Sequence, residues 1–466
     1  MSQVTINSDP LLTAWEETVA QREKNPAIFD SQGRVVFRFH EIEALSREYE
    51  GNSSLTTVSS GEILALQIGN HPHWPALFLA CLRRGIVVLP VEKTVSDTER
   101  ASALQTCRVT GLMSDPDKPI QPLAARTDID WDERPPVLLK LTSGTTAEPR
   151  AIRFRSAQLL ADALQICATM GIGPTDLNFA VIPVSHSYGF SNLITPLLVR
   201  GVPMAISRDR IPRAVLDDLA RTEATVFPGM PLFYQAFVEM EETPALPNLR
   251  LCISAGAPLN TSLARKFERK FRIPIHSFYG ASECGGICYD REAKNVEQGF
   301  VGPPLEEVTI EALEQNPNST QLRVRSAAVG DGYFPRPDTT KLGGGSFVPD
   351  DLVRLTETGV RIVGRTSDVI NVAGKKVNPA EVEAQLLSHP AVRQAVAFGR
   401  PSVRRNEEVV ACVVAAKGAT ETELLEFCRT RLSGWQAPKQ IFLVNELPVN
   451  ERGKISRRQL AEHFHN

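Results

Sequence analysis

EILALQI at residues 62–68, WPALFLACLRRG at 74–85 and VVLPV at 87–91 decide the fold class. The first and third are short runs rich in apolar residues, the pattern of buried strands. The middle segment has apolar residues at helical spacing and ends on Gly85, a residue suited to a helix C-terminus. A strand, a helix and a strand in that order argue for a parallel sheet joined by crossover helices. VVFRF (35–39) followed by HEIEALSREYE (40–50) adds a further strand and helix. The alternation resumes in FAVIPV (179–184), the apolar stretch to Leu198, PMAIS (203–207), ATVFPG (224–229) and LRLCISAG (249–256). Residues 306–363 carry shorter strands and more turns, as in a small β-rich module, with KLGGGS (341–346) as a loop.

From about Thr366 the pattern changes. VINVAGKKV (369–377) is strand-like, and PAEVEAQLLSH (379–389) is a helix with proline at its first position. AVRQAVAFG (391–399) and EEVVACVVAA (407–416) read as strands, and TETELLEFCRTRL (420–432) as a second helix. The expected architecture is α/β. It has a large N-terminal domain of stacked αβ sheets with a small β-rich module (1–365), followed by a small mobile C-terminal α/β domain (366–466).

Bulk properties agree with a globular protein of at least two domains, since 466 residues exceed one simple core. With 51 basic against 54 acidic residues, the net charge of −3 provides no electrostatic case for nucleic acid. No apolar run reaches the roughly 18 residues that span a bilayer. The opening MSQVTINSDPLLTAW does not read as a signal peptide. Eight cysteines without framework spacing fit reduced thiols, and the expected location is cytoplasmic. Cys284 and Cys288 lack a second ligand pair nearby, so zinc is not expected. His71 and His73 read as surface loop residues.

The strongest local signal is LTSGTTAEPR (141–150). Thr142, Ser143, Thr145 and Thr146 surround Gly144, so a turn here offers hydroxyls and backbone N–H groups to phosphate oxygens, with Arg150 as a nearby cation. The Gly-Lys-Ser/Thr ending of a Walker loop is absent. A polar surface loop is the bland reading. HSFYGASE (276–283) sets a tyrosine, a glycine turn, a hydroxyl and a carboxylate close together, suited to a base, a phosphate and Mg²⁺, or simply to a strand end before a capped helix. LPVNERGKISRRQL (447–460) carries Lys454 in a charged segment where a solvated lysine would be ordinary.

The order of these segments resembles the adenylate-forming superfamily of acyl- and aryl-CoA synthetases, nonribosomal peptide adenylation domains and luciferases. The likeness runs from NHPHWPALFLACLRRGIVVLPV (70–91) to the C-terminal lysine segment. LTSGTTAEPR matches the family's phosphate loop, PVSHSYGF (183–190) its acyl-pocket motif and SAGAPL (254–259) its adenine-side loop. YGASE matches Tyr-Gly-x-Thr-Glu, PDDLVRL (349–355) the ribose aspartate, GRTSDVINVAGKKVNPAEVE (364–383) the hinge, and LPVNERGKISRRQL the catalytic-lysine motif. Departures are Ala147, Arg150 and Ala151 in place of two glycines and a lysine, Pro349-Asp350 before Asp351, and Ser367 at the hinge.

The resemblance implies ATP-dependent, Mg²⁺-assisted formation of an acyl-adenylate, then transfer to the thiol of CoA or of a carrier protein's phosphopantetheine. Thr142, Ser143, Gly144, Thr145, Thr146 and Arg150 would hold phosphates, Glu283 the Mg²⁺, and Ser282 the α-phosphate. Tyr279 and Gly280 with Gly256 and Ala257 would flank adenine, Asp351 the ribose hydroxyls, and Arg365 the ribose or phosphate side. His186, Phe190, Phe227, Met230 and Ser254 would line the acyl pocket, although His186 reads equally well as structural. Lys454 would bridge carboxylate and α-phosphate, Ser367 would be the hinge, and Val372, Ala373 and Gly374 would form the thiol tunnel. A stand-alone amino-acid adenylation enzyme, a degenerate nucleotide- or acyl-binding protein and a luciferase-type oxygenase remain the alternatives.

Overall fold

The computed structural model describes residues 9–464 except 52–54, 124–128, 132–133, 143–149, 208, 295–296, 315–318, 403–405 and 448–456. The chain divides into two compact units. The first comprises Met1–Glu311, Arg323–Pro349 and Thr356–Arg361, and the second Ala312–Leu322, Asp350–Leu355 and Ile362–Asn466.

Within the first unit the strand Ile63–Leu66 lies parallel to Val87–Pro90 on one side and to Gly111–Met113 on the other. All four of its residues are buried, which explains why the run shows no polar alternation. The crossover helix Trp74–Arg84 is buried from Trp74 to Leu82 and ends at Gly85, whose left-handed φ of 67° lets its N–H reach back to the last helical carbonyls. Val87–Pro90 continues parallel into Leu138–Thr142, and the sheet ends in antiparallel strands Arg150–Phe154 and Gly332–Phe334. A second, eight-stranded sheet holds Asn178–Ala180, Met204–Ile206, Val226–Gly229, Leu251–Ser254 and Ile275–Ala281 in parallel register, closed by antiparallel Gly285–Tyr289. The parallel expectation therefore holds for the interior of both sheets. Thr142 and Arg150 of one candidate motif and the YGASE segment of another lie at the antiparallel margins.

The helix that follows the 183–190 motif departs from expectation. A short helical turn Ser187–Gly189 passes into a π-helical turn Phe190–Ile194 before the α-helix Thr195–Arg200. Such turns insert one residue and often mark functional positions.

In the second unit Ile370–Val372, Lys375–Val377, Val392–Ser402, Asn406–Ala415 and Gln440–Leu443 form one sheet. One face packs the helices Pro379–Leu387 and Glu421–Arg429 around Val382, Leu386, Leu424 and Cys428. Phe398, Val410 and Leu460 belong to a separate cluster.

Candidate active site

Thr142 closes the strand Leu138–Thr142 and Arg150 opens the next, the two facing each other in register. Thr142 Oγ1 donates to the Arg150 carbonyl at 3.2 Å. Ser143, Gly144, Thr145 and Thr146 lie outside the described residues. Arg150 packs its guanidinium 4.4 Å from the Tyr333 ring centroid, and its buried Nε has no hydrogen-bond partner among the described residues. The Tyr333 hydroxyl donates to Glu283 Oε1 at 3.0 Å. Burial, reinforced by the Glu283 charge, pushes that phenol well above its ordinary range, so it stays a donor. Thr142, Arg150, Tyr333 and Glu283 thus join the phosphate-loop strands to the YGASE motif. Glu283 presents hard carboxylate oxygen at a partly exposed hairpin end, a donor type suited to Mg²⁺.

The hairpin holding Glu283 requires its glycines. At Gly285, φ is 69° and a Cβ would stand 2.0 Å from Asp162 Oδ1. The next amide, Gly286 N–H, donates to that same oxygen at 3.2 Å. Tyr279 is buried on the strand Ile275–Ala281, while Gly280 is exposed and Ser282 partly exposed.

Leading into the PVSHSYGF motif, the stretch 180–184 is clamped by Asn70. Its side-chain amide donates to the Ala180 and Ile182 carbonyls at 2.9 and 3.0 Å and its oxygen accepts from Val184 N–H at 2.9 Å. Ser185 Oγ donates to Glu92 Oε2 at 2.6 Å, and His186 Nε2 lies 3.8 Å from the same oxygen. Arg210 holds Glu92 Oε1 at 3.1 Å. Burial alone would raise the Glu92 carboxyl, but the Ser185 hydrogen bond and the Arg210 and His186 charges outweigh it and hold it below its ordinary value. Gly189 lets the turn close, since a Cβ there would stand 2.1 Å from the Pro183 carbonyl oxygen. Tyr188 donates its hydroxyl to the Gly229 carbonyl at 3.3 Å. Ser254 pairs beside Gly229, and its buried Oγ has no hydrogen-bond partner among the described residues. Exposed Gly256 follows with φ 82° and open space at its Cβ position apart from Met230, and Ala257 is exposed beside it.

Two expected pocket residues are deeply buried. Phe227 is wholly buried among Phe179, Phe233, Tyr234 and Phe237, and Phe190 packs against Trp74 and Phe78. Both rings fill core. An aromatic residue beside a pocket motif cannot be assigned to pocket or core from spacing, because only its rotamer decides.

In the second unit Asp351 Oδ1 pairs with Arg365 Nε at 2.9 Å. Asp350 accepts instead through its backbone carbonyl, from Thr366 N–H at 2.8 Å and Thr366 Oγ1 at 3.2 Å. Ser367 sits in the 3₁₀ turn Thr366–Asp368, and its hydroxyl donates to Asp368 at 3.3 Å. Asp368 in turn is paired with Arg457, which also holds Glu383 at 2.8 Å. Ala373 and Gly374 form an exposed hairpin turn with φ of 51° and 85°. Val372, expected to line the thiol tunnel, is 3% exposed and packs in the small-domain cluster. Lys454 lies outside the described residues.

Asn70, Glu92 and Tyr333 escaped the sequence reading. Their partners lie 112, 93 and 50 residues away, so no local pattern points to them.

The AMP-binding enzyme family model matches residues 16–334, and the model of its C-terminal domain matches 381–454. The chain belongs to the AMP-binding enzyme family. Members of its class, the AMP-forming acid–thiol ligases, use ATP to convert a carboxylic acid to an acyl-adenylate and pass the acyl group to a thiol. Among curated relatives it is 28% identical over 459 residues to a probable CoA ligase of Humulus lupulus, covering 87% of each chain. It is 27% identical to the oxalate–CoA ligase of Arabidopsis thaliana (87% of this chain, 89% of that one). It is 26% identical to the 2-succinylbenzoate–CoA ligase of Bacillus velezensis (91% and 92%). The fold is that of ATP-bound MatB from Rhodopseudomonas palustris, with TM-score 0.86 at 23% identity over 98% of this chain and 99% of that one. MenE from Bacillus subtilis, in complex with its acyl-adenylate, gives TM-score 0.82 at 22% identity over 96% and 97%. Among the described residues no helix is long and apolar enough to cross a membrane.

Proposed function

We propose that this chain activates a simple carboxylic acid, fatty, aryl or related, that carries no obligatory α-ammonium group, and joins it to the thiol of CoA. A carrier protein's phosphopantetheine presents the same thiol and is the alternative acceptor. The observation that carries the acid class is the turn at residues 183–190, which contains no carboxylate. The carboxylate that does touch this turn, Glu92, is already paired with Arg210. An ammonium brought into the pocket would find its candidate partner neutralised, and an unpaired buried charge is costly.

A carboxylate does not react with a thiol at neutral pH because oxide is a poor leaving group, whereas AMP is a good one. The protein's task is alignment and charge neutralisation. Thr142, the hydroxyls at 143–146 and Arg150 hold the phosphates, and Ser282 contacts the α-phosphate. Glu283, oriented by Tyr333, holds Mg²⁺, which supplies neutralisation of phosphate charge. Tyr279, Gly280, Gly256 and Ala257 flank adenine, and Asp351 with Arg365 holds the ribose. Lys454 supplies an ammonium to the reacting carboxylate and the α-phosphate. His186, Met230 and Ser254 remain the proposed acid-side residues. Residues 366–466 act as the mobile domain about Ser367, and the turn at Ala373-Gly374 borders the thiol path. All eight cysteines are buried and unbridged, which supports a cytoplasmic location.

ATP–pyrophosphate exchange across fatty, aryl, dicarboxylic and amino acids tests this reading. Exchange with one or more acids lacking an α-ammonium is expected. Exchange confined to proteinogenic amino acids refutes the acid class, and exchange with none refutes the enzyme.

A further inference from the structure

Lys140 stands on the strand Leu138–Thr142, two residues ahead of the phosphate-loop threonine, and is 3% exposed. Lysine is almost never fully buried unless its charge is paired. Its Nζ donates to Ser187 Oγ and Ser191 Oγ, each at 3.3 Å. It also lies 4.5 Å from the Phe154 ring centroid and 5.7 Å from that of Phe190. Both serines belong to the turn that follows His186. Ser187 opens the short helical turn and Ser191 sits inside the π-helical one, so a single ammonium ties together the two ends of the irregular segment. Its countercharge is Asp162 on the helix Ser156–Met170, acting through space, with no direct ion pair between them among the described residues. Asp162 accepts from Gly286 N–H in the hairpin that carries Glu283, and the Ser191 hydroxyl also acts on its carboxyl as a hydrogen-bond donor. Burial pushes the lysine toward losing its proton and the aspartate toward gaining one, and each charge partly counters the shift of the other.

We propose that Lys140 is a positioning residue for adenylate formation. Its ammonium, held by Ser187 and Ser191, sets the spacing between the strand leading into the phosphate loop and the acid-side turn at residues 183–190. This rests on reading that turn as the acid side of the site. Attack of the carboxylate on the α-phosphate depends on that spacing, and a displacement of about 1 Å costs up to about a hundredfold in rate. The Phe154 and Phe190 rings stabilise the cation without fixing its direction, so the serine hydroxyls are what make it a spacer.

The test compares Lys140→Met, Ser191→Ala and the double variant. Ser191→Ala keeps the lysine and removes one of its acceptors together with the Ser191 contact to Asp162, and so remains informative if Lys140→Met folds poorly. Two readouts are taken on folded protein. In hydrogen–deuterium exchange without ligand, amides 187–194 should exchange at least about tenfold faster in both single variants, while those of the helix Asp97–Thr106 in the same unit stay unchanged. In pyrophosphate exchange with the best acid of the panel, kcat should fall about ten- to a hundredfold with the KM for ATP within about twofold, and the double variant should be no worse than Lys140→Met. Unchanged exchange at 187–194, or a uniform rise across the whole unit, overturns the proposal and leaves Lys140 an ordinary core group. A wild-type protein silent with every acid refutes the proposed function instead, and the amide readout still decides the role of Lys140.

Discussion

Replacing Asp351 by asparagine should weaken ATP binding about ten- to 140-fold, and the same change at Asp350 should scarcely matter. The structure separates the two neighbours. Asp351 directs its carboxylate at Arg365, and its side chain is 14% exposed. Asp350 accepts through its backbone carbonyl, which an amide substitution leaves intact, and its carboxylate lies 3.5 Å from Thr366 Oγ1. Asparagine at 351 keeps one acceptor oxygen and turns the other into a donor, so one of two ribose hydroxyls loses its acceptor. A hydrogen bond to a charged group contributes about 1.5–3 kcal/mol, which is the stated range in affinity. The accompanying loss of the Arg365 pair adds little, because that arginine side chain is 56% exposed and screened. Asp350→Asn should stay within about 0.5 kcal/mol, roughly twofold. Calorimetric titration with a non-hydrolysable ATP analogue measures both. A larger loss at 350 than at 351 refutes the assignment and shifts the motif by one residue.

Lys454→Ala should nearly abolish adenylate formation, a barrier increase on the order of 2.7–4 kcal/mol, yet convert supplied acyl-adenylate to thioester near the native rate. Equal loss in both half-reactions would make it a folding residue, and no loss a solvated one. Gly189→Ala should destabilise by about 1–3 kcal/mol or more, read as a lowered denaturant midpoint, because its Cβ meets the Pro183 carbonyl oxygen; an unchanged midpoint would mean the turn relaxes freely. Burial would raise the Asp176 carboxyl, but hydrogen bonds from Arg250 at 2.6 and 2.7 Å and from Gly173 and Thr225 outweigh it and hold the group below its ordinary value. A depressed carboxyl contributes stability above its unfolded value, near about 4, that is lost as pH falls through the folded one. Asp176→Asn should therefore lower stability at neutral pH and flatten its fall below about pH 4, and denaturant unfolding from pH 7 to pH 3 that gives parallel curves would exclude this linkage.

The sequence by itself determined the α/β class, the parallel interiors of the sheets and the order of motifs that marks the family. Each of these rests on periodicities and short patterns that a chain carries locally. Gly85 illustrates it, since a glycine closing an apolar helical run has one economical conformation, and the structure shows it. The tertiary structure alone decided which side chains meet. Phe190 and Phe227 are apolar residues next to a pocket motif, and nothing in their spacing tells a ring that faces a ligand from one that faces Trp74 or Tyr234. Tyr333 reaches Glu283 across 50 residues, Lys140 reaches Ser191 across 51, and Glu92 reaches Ser185 across 93. Such pairs arise when separate strands and helices are brought together by burial of their apolar faces. Burial is non-directional and leaves no mark at the polar positions it juxtaposes, so the groups that orient the site become visible only once the chain is folded.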